Sequence, residues 1–384
     1  MNTPQPGYPL VKGQVARQAH VGLPPGTVEE EHGRDGFFGP VSHLYRQHAP
    51  TGWTRIEGPL KPMAFDCGKI KASDWQRVRL LENDDVAMAV VKPVTAMATY
   101  YRNADADEVW FIHEGGGVLE TDYGPLTYTR GDYLVIPRGT TYRFLPAKTG
   151  KAATDFYLLI ESNSRIRQPE RGLMGQHALY DPAVIVTPEP QPHTPAKNDP
   201  AEWEVQIQRC GEITSVFYPF CPLDVVGWKG DLTVWKLSVG DIRPVMSHRY
   251  HLAPSVHSTF VGSQFIICTF VPRPLEEDAD AVRVPFYHRN IDYDEVLFYH
   301  DGDFFSRDNI KAGMLTLHPQ GIHHGPHPGA EAASHSKTRT DEIAVMLDTR
   351  NPLRVTEAFR KAEWPEYHLS WQTKPVQKKP GKKS

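Results

Sequence analysis

The chain contains an internal repeat, and this repeat restricts the possible folds more than any other feature of the sequence. The segment YRNADADEVWFIHEGG (Tyr101–Gly116) matches HRNIDYDEVLFYHDGD (His288–Asp303) at nine of sixteen positions without a gap, at an offset of 187 residues. Further along each copy, GDYLVIPRGTTYRF (Gly131–Phe144) aligns with GMLTLHPQGIHHGP (Gly313–Pro326) through a glycine, a proline and a second glycine at fixed spacing. Two motif pairs in the same order and at so long a period indicate a duplicated domain, not an array of small units.

The repeated unit has the sequence pattern of β-structure. Short apolar runs are separated by the 34 prolines and 30 glycines of the chain, and helical periodicity is rare. Many short strands with frequent turn residues are typical of all-β sandwiches and barrels. The sequence therefore predicts an all-β fold built from two similar β-barrel halves.

The composition divides the 384 residues into five parts. We expect an irregular N-terminal segment over 1–60, a first half over 61–165, a linker or strap over 166–202, a second half over 203–354 and a C-terminal tail over 355–384. The strap is rich in proline, which cannot join the interior of a sheet. The tail ends in KKPGKKS, which indicates a solvated terminus.

The charge and hydropathy of the chain exclude several classes of function. Forty-two basic against 46 acidic residues give a net charge of -4, whereas nucleic-acid binders normally carry a basic excess. No run of 18 apolar residues is present, so no membrane span is expected. The first residues, MNTPQPGYPLVKGQ, lack the apolar stretch of a secretory signal. These features predict a soluble, cytoplasmic protein.

The two copies of the repeat differ at the positions that a metal ion would use. The second copy carries His288, Glu295 and His324, whereas the first keeps the glutamate but has Tyr101 and Tyr142 at the two histidine positions. Neutral imidazoles bind divalent metals at neutral pH, and phenols with a pKa near 10 normally do not. We therefore expect a metal site in the second half and a metal-free, structural copy in the first.

The donor set indicates which metal would bind. We expect a tight turn to let His288 and Glu295 face each other across a hairpin, with alternate side chains of a barrel pointing inward. Two histidines and one carboxylate on one face leave three positions open, which suits Fe(II) with both an organic ligand and O2. A structural zinc site would be closed by four ligands. A single histidine is more often a surface or core residue, but ten of the 18 histidines lie between His248 and His335.

The chain also resembles a known family. The duplicated motif resembles the two conserved blocks of the cupin superfamily, and the whole chain, from about Gly7 to Arg354, is similar to the homogentisate 1,2-dioxygenases. The matching segments are RQAHVGLPPGTVEEEHGRDGFFGP near the start, PFCPLDVVGWKGDLTVWKL in the middle, and YHRN with HPQGIHHGPHP in the second motif pair. The combination HRN, then Glu, then HxxxxxHGP is specific, whereas GFFGP alone would be a weak signal.

The resemblance implies a bicupin with Fe(II) held by His288, Glu295 and His324. Family members differ by one residue in the spacing between the first histidine and the glutamate, so Asp294 is an alternative. Glu295 is preferred because six residues separate it from the following repeat glycine, as they do for Glu108 in the first copy.

Two further histidine roles follow from the resemblance. His318 matches a histidine near the iron that orients substrate and water. The alternative is a structural histidine that supports the metal ligands without touching the metal. HLAPS, which begins at His251, resembles the segment that supplies the general base, with Leu252 in place of a proline. A histidine near its ordinary pKa is suited to accept a phenolic proton. His248 and His257 are the alternatives to His251.

Four more residues are candidates for substrate binding. Arg289 and Asn290 would support the metal ligand or the substrate, but the pair recurs as Arg102–Asn103 in the metal-free copy, which favours a role in the turn. Phe286 and Phe304 stand where the family usually has tyrosines that hydrogen-bond substrate or oxygenated intermediate. The loss of such donors in a pocket can change the discrimination between related substrates by orders of magnitude.

The implied activity is cleavage of an aromatic ring by O2. The resemblance predicts conversion of homogentisate and O2 to maleylacetoacetate, a step in tyrosine and phenylalanine catabolism. One alternative is a dioxygenase of a related hydroquinone-type acid such as gentisate. The other is a metal-binding bicupin that does not activate oxygen. The family forms trimers and hexamers, so we expect a homo-oligomer.

Overall fold

The computed structural model describes residues 11–304, 307, 309–328 and 336–372. The lysine-rich end of the tail lies outside the described residues. The described part contains 22 strands, named in chain order. They are β1 Val28–Gly33, β2 Val41–Arg46, β3 Met63–Asp66, β4 Val78–Glu82, β5 Val86–Val91, β6 Tyr100–Asn103, β7 Asp107–Glu114, β8 Gly116–Thr121, β9 Leu126–Thr129, β10 Asp132–Ile136, β11 Thr141–Pro146, β12 Phe156–Ser162, β13 Trp203–Arg209, β14 Glu212–Tyr218, β15 Trp235–Ser238, β16 Ser258–Val261, β17 Phe265–Phe270, β18 Tyr287–Asn290, β19 Asp294–Asp303, β20 Met314–His318, β21 Asp341–Thr349 and β22 Arg354–Val355.

In the part of the chain that the structure describes, helical structure is confined to short segments. The α-helix α1 spans Glu357–Arg360 and is capped by the Thr356 hydroxyl, which accepts from the amide of Phe359. The 3-10 turns are Cys67–Lys69, Gly150–Ala152, Gly172–Met174, Pro182–Val184, Val239–Asp241, Pro254–His257 and Tyr367–Trp371. No helix among the described residues is both long enough and apolar enough to cross a membrane. The prediction of an all-β fold is confirmed.

Four sheets form two β-barrel halves of cupin type. The first half has a seven-stranded sheet, β15-β10-β7-β12-β5-β4-β22, and a six-stranded sheet, β14-β13-β6-β11-β8-β9. The second half has a six-stranded sheet, β16-β17-β21-β19-β20-β3, and a three-stranded sheet, β18-β1-β2. The halves are not contiguous in sequence, because β3 pairs with β20 of the second half and β22 with β4 of the first.

Equivalent residues of the two copies meet where the halves pack together. The Nδ1 atoms of His113 and His300, which are 187 positions apart, lie 2.9 Å from each other. The rings of Phe111 and Phe298, related by the same offset, have centroids 6.4 Å apart. Contact between equivalent side chains is what an approximate two-fold relation between duplicated halves produces, so the duplication predicted from the repeat is visible in three dimensions.

Strand alternation decides which repeated residues face each barrel interior. On β7, Val109 and Phe111 belong to the apolar core shared by the two halves, whereas Trp110 belongs to the core inside the first barrel. On β19, Val296 and Phe298 enter the same shared core. Because side chains alternate along a strand, the glutamate that precedes each valine points into its own barrel.

The glycines shared by the copies are required by the backbone. Gly131 and Gly313 have φ of +87° and +81°, and Gly139 and Gly321 have +85° and +89°. Residues with a Cβ rarely adopt such conformations. The repeat therefore preserves the turns that precede and follow one strand of each barrel.

The N-terminal segment and the strap are more ordered than their sequences indicate. Residues 28–46, within the segment predicted to be irregular, form β1 and β2, and β1 pairs in parallel with β18. The sequence of β1, VEEEHG, has a low intrinsic preference for a strand, but burial and pairing override this preference. The strap is extended, with isolated bridges from Leu179 to Arg243 and from Val186 to Lys236.

Candidate metal centre

Backbone pairing brings two histidines of the second half together. The amide of His288 donates to the carbonyl of His324 at 3.0 Å, and the amide of His324 donates back at 3.1 Å. Their rings are 4.0 Å apart between centroids and nearly perpendicular, at 72°. His288 lies on β18, and His324 lies in the loop that follows β20, so the bridge joins the two motifs of one repeat copy.

Glu295 completes the cluster from the facing sheet. Its Oε2 lies 3.5 Å from Nε2 of His288 and 3.5 Å from Nε2 of His324. The sequence predicts that His288 and Glu295 face each other across a hairpin, and the structure corrects this, because β18 pairs with β1 and β19 pairs with β20 and β21. The short turn passes the chain from one sheet to the other, so the two side chains approach each other across the barrel interior.

The atoms that face each other in this cluster lack other partners. All three residues are buried, and Nε2 of both histidines has no hydrogen-bond partner. Buried polar atoms are nearly always satisfied. A divalent cation between the two imidazoles and the carboxylate would satisfy them, and the donor set of two histidines and one carboxylate suits a transition metal. The residues present therefore fit the expected ion.

The ionisation states also suit a metal ligand set. Burial acts to raise the pKa of Glu295, but His324, His288 and His318 outweigh it and hold that pKa well below its usual range. Burial lowers the pKa of His324 to about 3. A neutral imidazole and an ionised carboxylate are the forms that bind metals.

His318 contacts the carboxylate oxygen of Glu295 that does not face His288 and His324. It is the cross-strand partner of Glu295 on β20, and its Nδ1 lies 2.8 Å from Oε1 of Glu295. Its Nε2 lies 3.2 Å from the hydroxyl of Tyr367, and its ring is fully buried. With one oxygen of Glu295 held in this way, the other is directed at the two histidines. Sequence reasoning did not identify Tyr367, which reaches the site only through the packing of the C-terminal turn.

The first barrel holds an arginine at the position equivalent to this centre. Arg77 donates to Glu108 at 2.6 Å, to Glu161 at 2.8 Å and to the hydroxyl of Tyr142 at 2.7 Å. Its guanidinium lies 4.2 Å from the ring centroid of Tyr101. Burial opposes its charge, but the carboxylates and phenols hold the pKa of Arg77 well above the ordinary value. A guanidinium therefore supplies the positive charge in the first copy.

A cavity opens beside the second-half cluster. Its lining includes His288, Glu295 and fourteen other residues, among them His257, Arg273 and Phe286. Arg273 is buried, and its Nη1 has no hydrogen-bond partner. Sequence reasoning missed Arg273. The available signal was a charged residue in VPRP, directly after an apolar strand.

The structure separates the three candidate base histidines. His251 is buried and stacks on Phe286 with centroids 4.1 Å apart, and Phe286 in turn lies 4.9 Å from the ring of His288. Its Nδ1 lies 3.0 Å from the carbonyl of Val282, and its Nε2 has no partner. His257 lines the cavity, whereas His248 is exposed.

Three other candidates lie away from the cavity. Phe304 packs against Tyr299 with ring centroids 4.9 Å apart, in an apolar cluster outside the cavity. Arg289 points to the opposite face of β18 from His288, and its Nε lies 3.5 Å from Glu30. Asn290 is buried at the end of β18 beside Gly33. The structure therefore brings together His288, Glu295, His324 and Phe286, but not these three.

Duplicated β-barrels with a buried histidine and carboxylate cluster in one of them define a bicupin with a candidate metal centre. Comparison with known proteins narrows this class to one protein family. Residues 79–239 match the model of the homogentisate 1,2-dioxygenase N-terminal domain, and residues 247–378 match that of the C-terminal domain. The chain belongs to the homogentisate 1,2-dioxygenase family, and its membership makes it an oxidoreductase of the dioxygenase type.

Two relatives named as dioxygenases support this family assignment. A Saccharolobus solfataricus protein named "putative dioxygenase" is 32% identical over 94% of this chain and 98% of its own length. Homogentisate 1,2-dioxygenase of Nitrobacter hamburgensis is 27% identical over 71% of this chain but only 62% of its own length. Among solved structures, a cupin 2 conserved barrel domain protein from Leptotrichia buccalis aligns with 75% of this chain and 96% of its own, with 10% identity and a TM-score of 0.35.

Proposed function

We propose that the protein is an Fe(II)-dependent dioxygenase that cleaves the ring of homogentisate with O2 to give maleylacetoacetate. The observation that carries the proposal is the convergence of Nε2 of His288 and Nε2 of His324 on Oε2 of Glu295, each at 3.5 Å, in a buried cluster beside a cavity. Family membership supports the reaction class. The donor set, with half of an octahedron left open, supports Fe(II).

The three side chains would hold the metal, and His318 would hold Glu295. When bound, Fe(II) supplies a site where both the aromatic diol and O2 can bind and exchange electrons. His318 touches the carboxylate and Tyr367, with both ring nitrogens engaged, so we assign it to positioning the ligand, one of the two roles that its sequence position allows. Partners of this kind fix the orientation and basicity of metal ligands.

Arg273 would recognise the acid group of the substrate. Arg273 lines the same cavity as His288 and Glu295, and its buried Nη1 has no partner. A buried guanidinium favours a planar carboxylate, because two parallel hydrogen bonds can form. The acetate side chain of homogentisate offers this group. The ring of Phe286 contributes an apolar wall on the same cavity.

His251 is the proposed acceptor of the phenolic proton. Since its Nδ1 is engaged by the carbonyl of Val282, its Nε2 carries the lone pair. Burial and the neighbouring His20 lower the pKa of His251 to about 3, so the ring is neutral at pH 7, and the carbonyl of Val282 and the charges of Glu31 and Glu29 act in the opposite direction. His257 has a similarly low pKa, about 3, through burial and through the positive charge of Arg273, which opposes proton uptake.

A related hydroquinone acid is the second candidate substrate. Phe286 lines the cavity and offers no hydroxyl where the family usually has a tyrosine, so discrimination between homogentisate and gentisate depends on the remaining polar groups. We further propose a cytoplasmic homo-oligomer, a trimer or hexamer, whose mass by light scattering would be three or six times the chain mass of 43.3 kDa.

One experiment tests the central proposal. The protein is purified without oxygen, its iron is measured, and oxygen uptake is recorded with homogentisate, gentisate and unsubstituted hydroquinone. We expect one iron at this centre and the fastest uptake with homogentisate. A clear preference for gentisate would replace the substrate. No oxygen uptake with any of the three would favour a metal-binding bicupin without oxygenase activity.

A further inference from the structure

A second cluster of histidine and glutamate side chains lies at the three-stranded sheet β18-β1-β2. Nε2 of His20 and Nε2 of His43 are each 3.6 Å from Oε2 of Glu31. The two rings are 4.6 Å apart between centroids and nearly perpendicular, at 81°. The three side chains come from a loop, from β1 and from β2, so they meet only because the N-terminal hairpin folds.

The donor atoms of this cluster are arranged as in a metal site. Nε2 of His43 is buried and has no hydrogen-bond partner, although it faces Glu31. On the other side of the His20 ring, Nδ1 lies 2.6 Å from Oε1 of Glu29. This contact fixes the tautomer that leaves Nε2 of His20 free to bind an ion. A carboxylate behind a ligating imidazole is the usual support of such ligands.

The negative charge of two buried carboxylates also favours the binding of a cation. Glu29 and Glu31 are 5% and 6% exposed and leave β1 on the same face. The three ion pairs that these two carboxylates make within the described residues are all with imidazoles. Buried carboxylates are expensive unless they are paired with a positive charge or bind a metal.

We propose that His20, Glu31 and His43 form a second binding site for a divalent transition-metal ion, with Glu29 positioning His20. Two imidazoles and one carboxylate suit Zn²⁺ or Fe²⁺ and leave coordination positions open. The site is distinct from the iron centre proposed above and does not depend on it, because it uses none of the same side chains.

The proposed site lies next to the first one. Glu31 and His288 are register partners on the parallel strands β1 and β18, so their side chains leave the sheet on the same side. Between the clusters, the His20 ring lies 3.7 Å from that of His251. An ion here would link the loop at residue 20 to both strands of the hairpin, of which β1 pairs with the strand that carries His288.

Counting bound Zn²⁺ in the full-length protein tests the proposal. The metal-free protein is dialysed against Zn²⁺ without oxygen, and bound zinc per chain is measured by mass spectrometry. We expect two ions in the unaltered chain, one in His43→Gln and one in His324→Gln, and none in the double variant. His177→Gln is the matched control, because its side chain is 74% exposed and it should keep two ions. Circular dichroism checks folding, and His20→Gln replaces His43→Gln if that variant fails to fold.

The outcomes separate this inference from the proposed function. If His43→Gln and His20→Gln bind as much zinc as the unaltered chain, the second site is refuted, and the cluster is a set of buried ion pairs. If His43→Gln loses one ion while His324→Gln loses none, the second site stands and the proposed iron position fails. Loss of one ion in each variant supports both.

Discussion

Replacing Arg77 with methionine tests the idea that a guanidinium takes the place of a metal in the first barrel. Arg77 lies between Glu108 and Glu161, whose side chains are 1% and 5% exposed, and it donates to both. Methionine keeps much of the apolar volume but removes the positive partner of Glu108 and leaves Glu161 paired only with the half-exposed Arg79. Removing one member of a buried ion pair destabilises a protein by about 3–5 kcal/mol, and we expect a loss of that size for Arg77→Met.

Arg79, two residues further along the chain on β4, provides a matched control. Its side chain is 49% exposed and pairs with Glu82 at 3.2 Å and with Glu161 at 3.5 Å. An exposed pair contributes about 0–1 kcal/mol, so Arg79→Met should change the free energy of unfolding by no more than that. In the double variant Arg77→Met with Glu108→Gln, one uncompensated charge is gone, and part of the lost stability should return.

Urea unfolding followed by tryptophan fluorescence measures these differences. Trp110 is a suitable reporter, because its ring lies 5.5 Å from the Arg77 guanidinium. If Arg77→Met is no more destabilising than Arg79→Met, the guanidinium is not the charge that stabilises the carboxylates of the first barrel. Equal stability of the single and double variants would point to loss of packing as the cause.

The remaining predictions concern the second barrel. His324→Ala should lose both iron retention and oxygen uptake, measured on anaerobically purified protein, and normal iron content in that variant would exclude His324 as a ligand. His318→Gln should bind iron about 10–100-fold more weakly, because Glu295 loses its support; an unchanged affinity would leave His318 a packing role. Arg273→Met should lower kcat/KM for homogentisate by about 10–100-fold, from the 1.5–3 kcal/mol of a charged hydrogen bond, but should leave unsubstituted hydroquinone unaffected. Equal losses for both substrates would contradict carboxylate recognition. Phe298→Ala should destabilise the protein by about 3–5 kcal/mol in a urea titration, because Phe298 is fully buried in the core shared by the halves. A change below 1 kcal/mol would mean that this core can collapse around the deletion.

The repeat made several features of this protein predictable from sequence. It locates two barrels, it requires glycine at matched turns, and it identifies a glutamate that points into each interior. These features follow from local rules, because strand alternation and positive φ act within a few residues of each other in the chain. The contrast of His288 and His324 with Tyr101 and Tyr142 also identifies the cluster from the sequence alone.

Contacts between distant segments were not predictable in the same way. Arg77 lies outside the aligned motifs, yet it occupies the interior of the first barrel. Tyr367 reaches His318 from a turn near the C-terminus, 49 residues away in the chain. The strand β1, which carries Glu29 and Glu31, has three consecutive glutamates and a poor strand propensity. Pairing with both β18 and β2 and burial against imidazoles make it a strand.

The sequence by itself determined that the chain is a duplicated β-barrel protein and that one copy keeps two imidazoles and a carboxylate. Periodicity, turn residues and motif differences carry that information, and all of them are properties of neighbouring residues. The tertiary structure decided which atoms converge, which groups line the cavity, and which buried arginine pairs with the glutamates inside the first barrel. These features depend on segments far apart in the chain entering the same low-dielectric interior, where unpaired polar atoms are so unfavourable that nearly all of them have a partner.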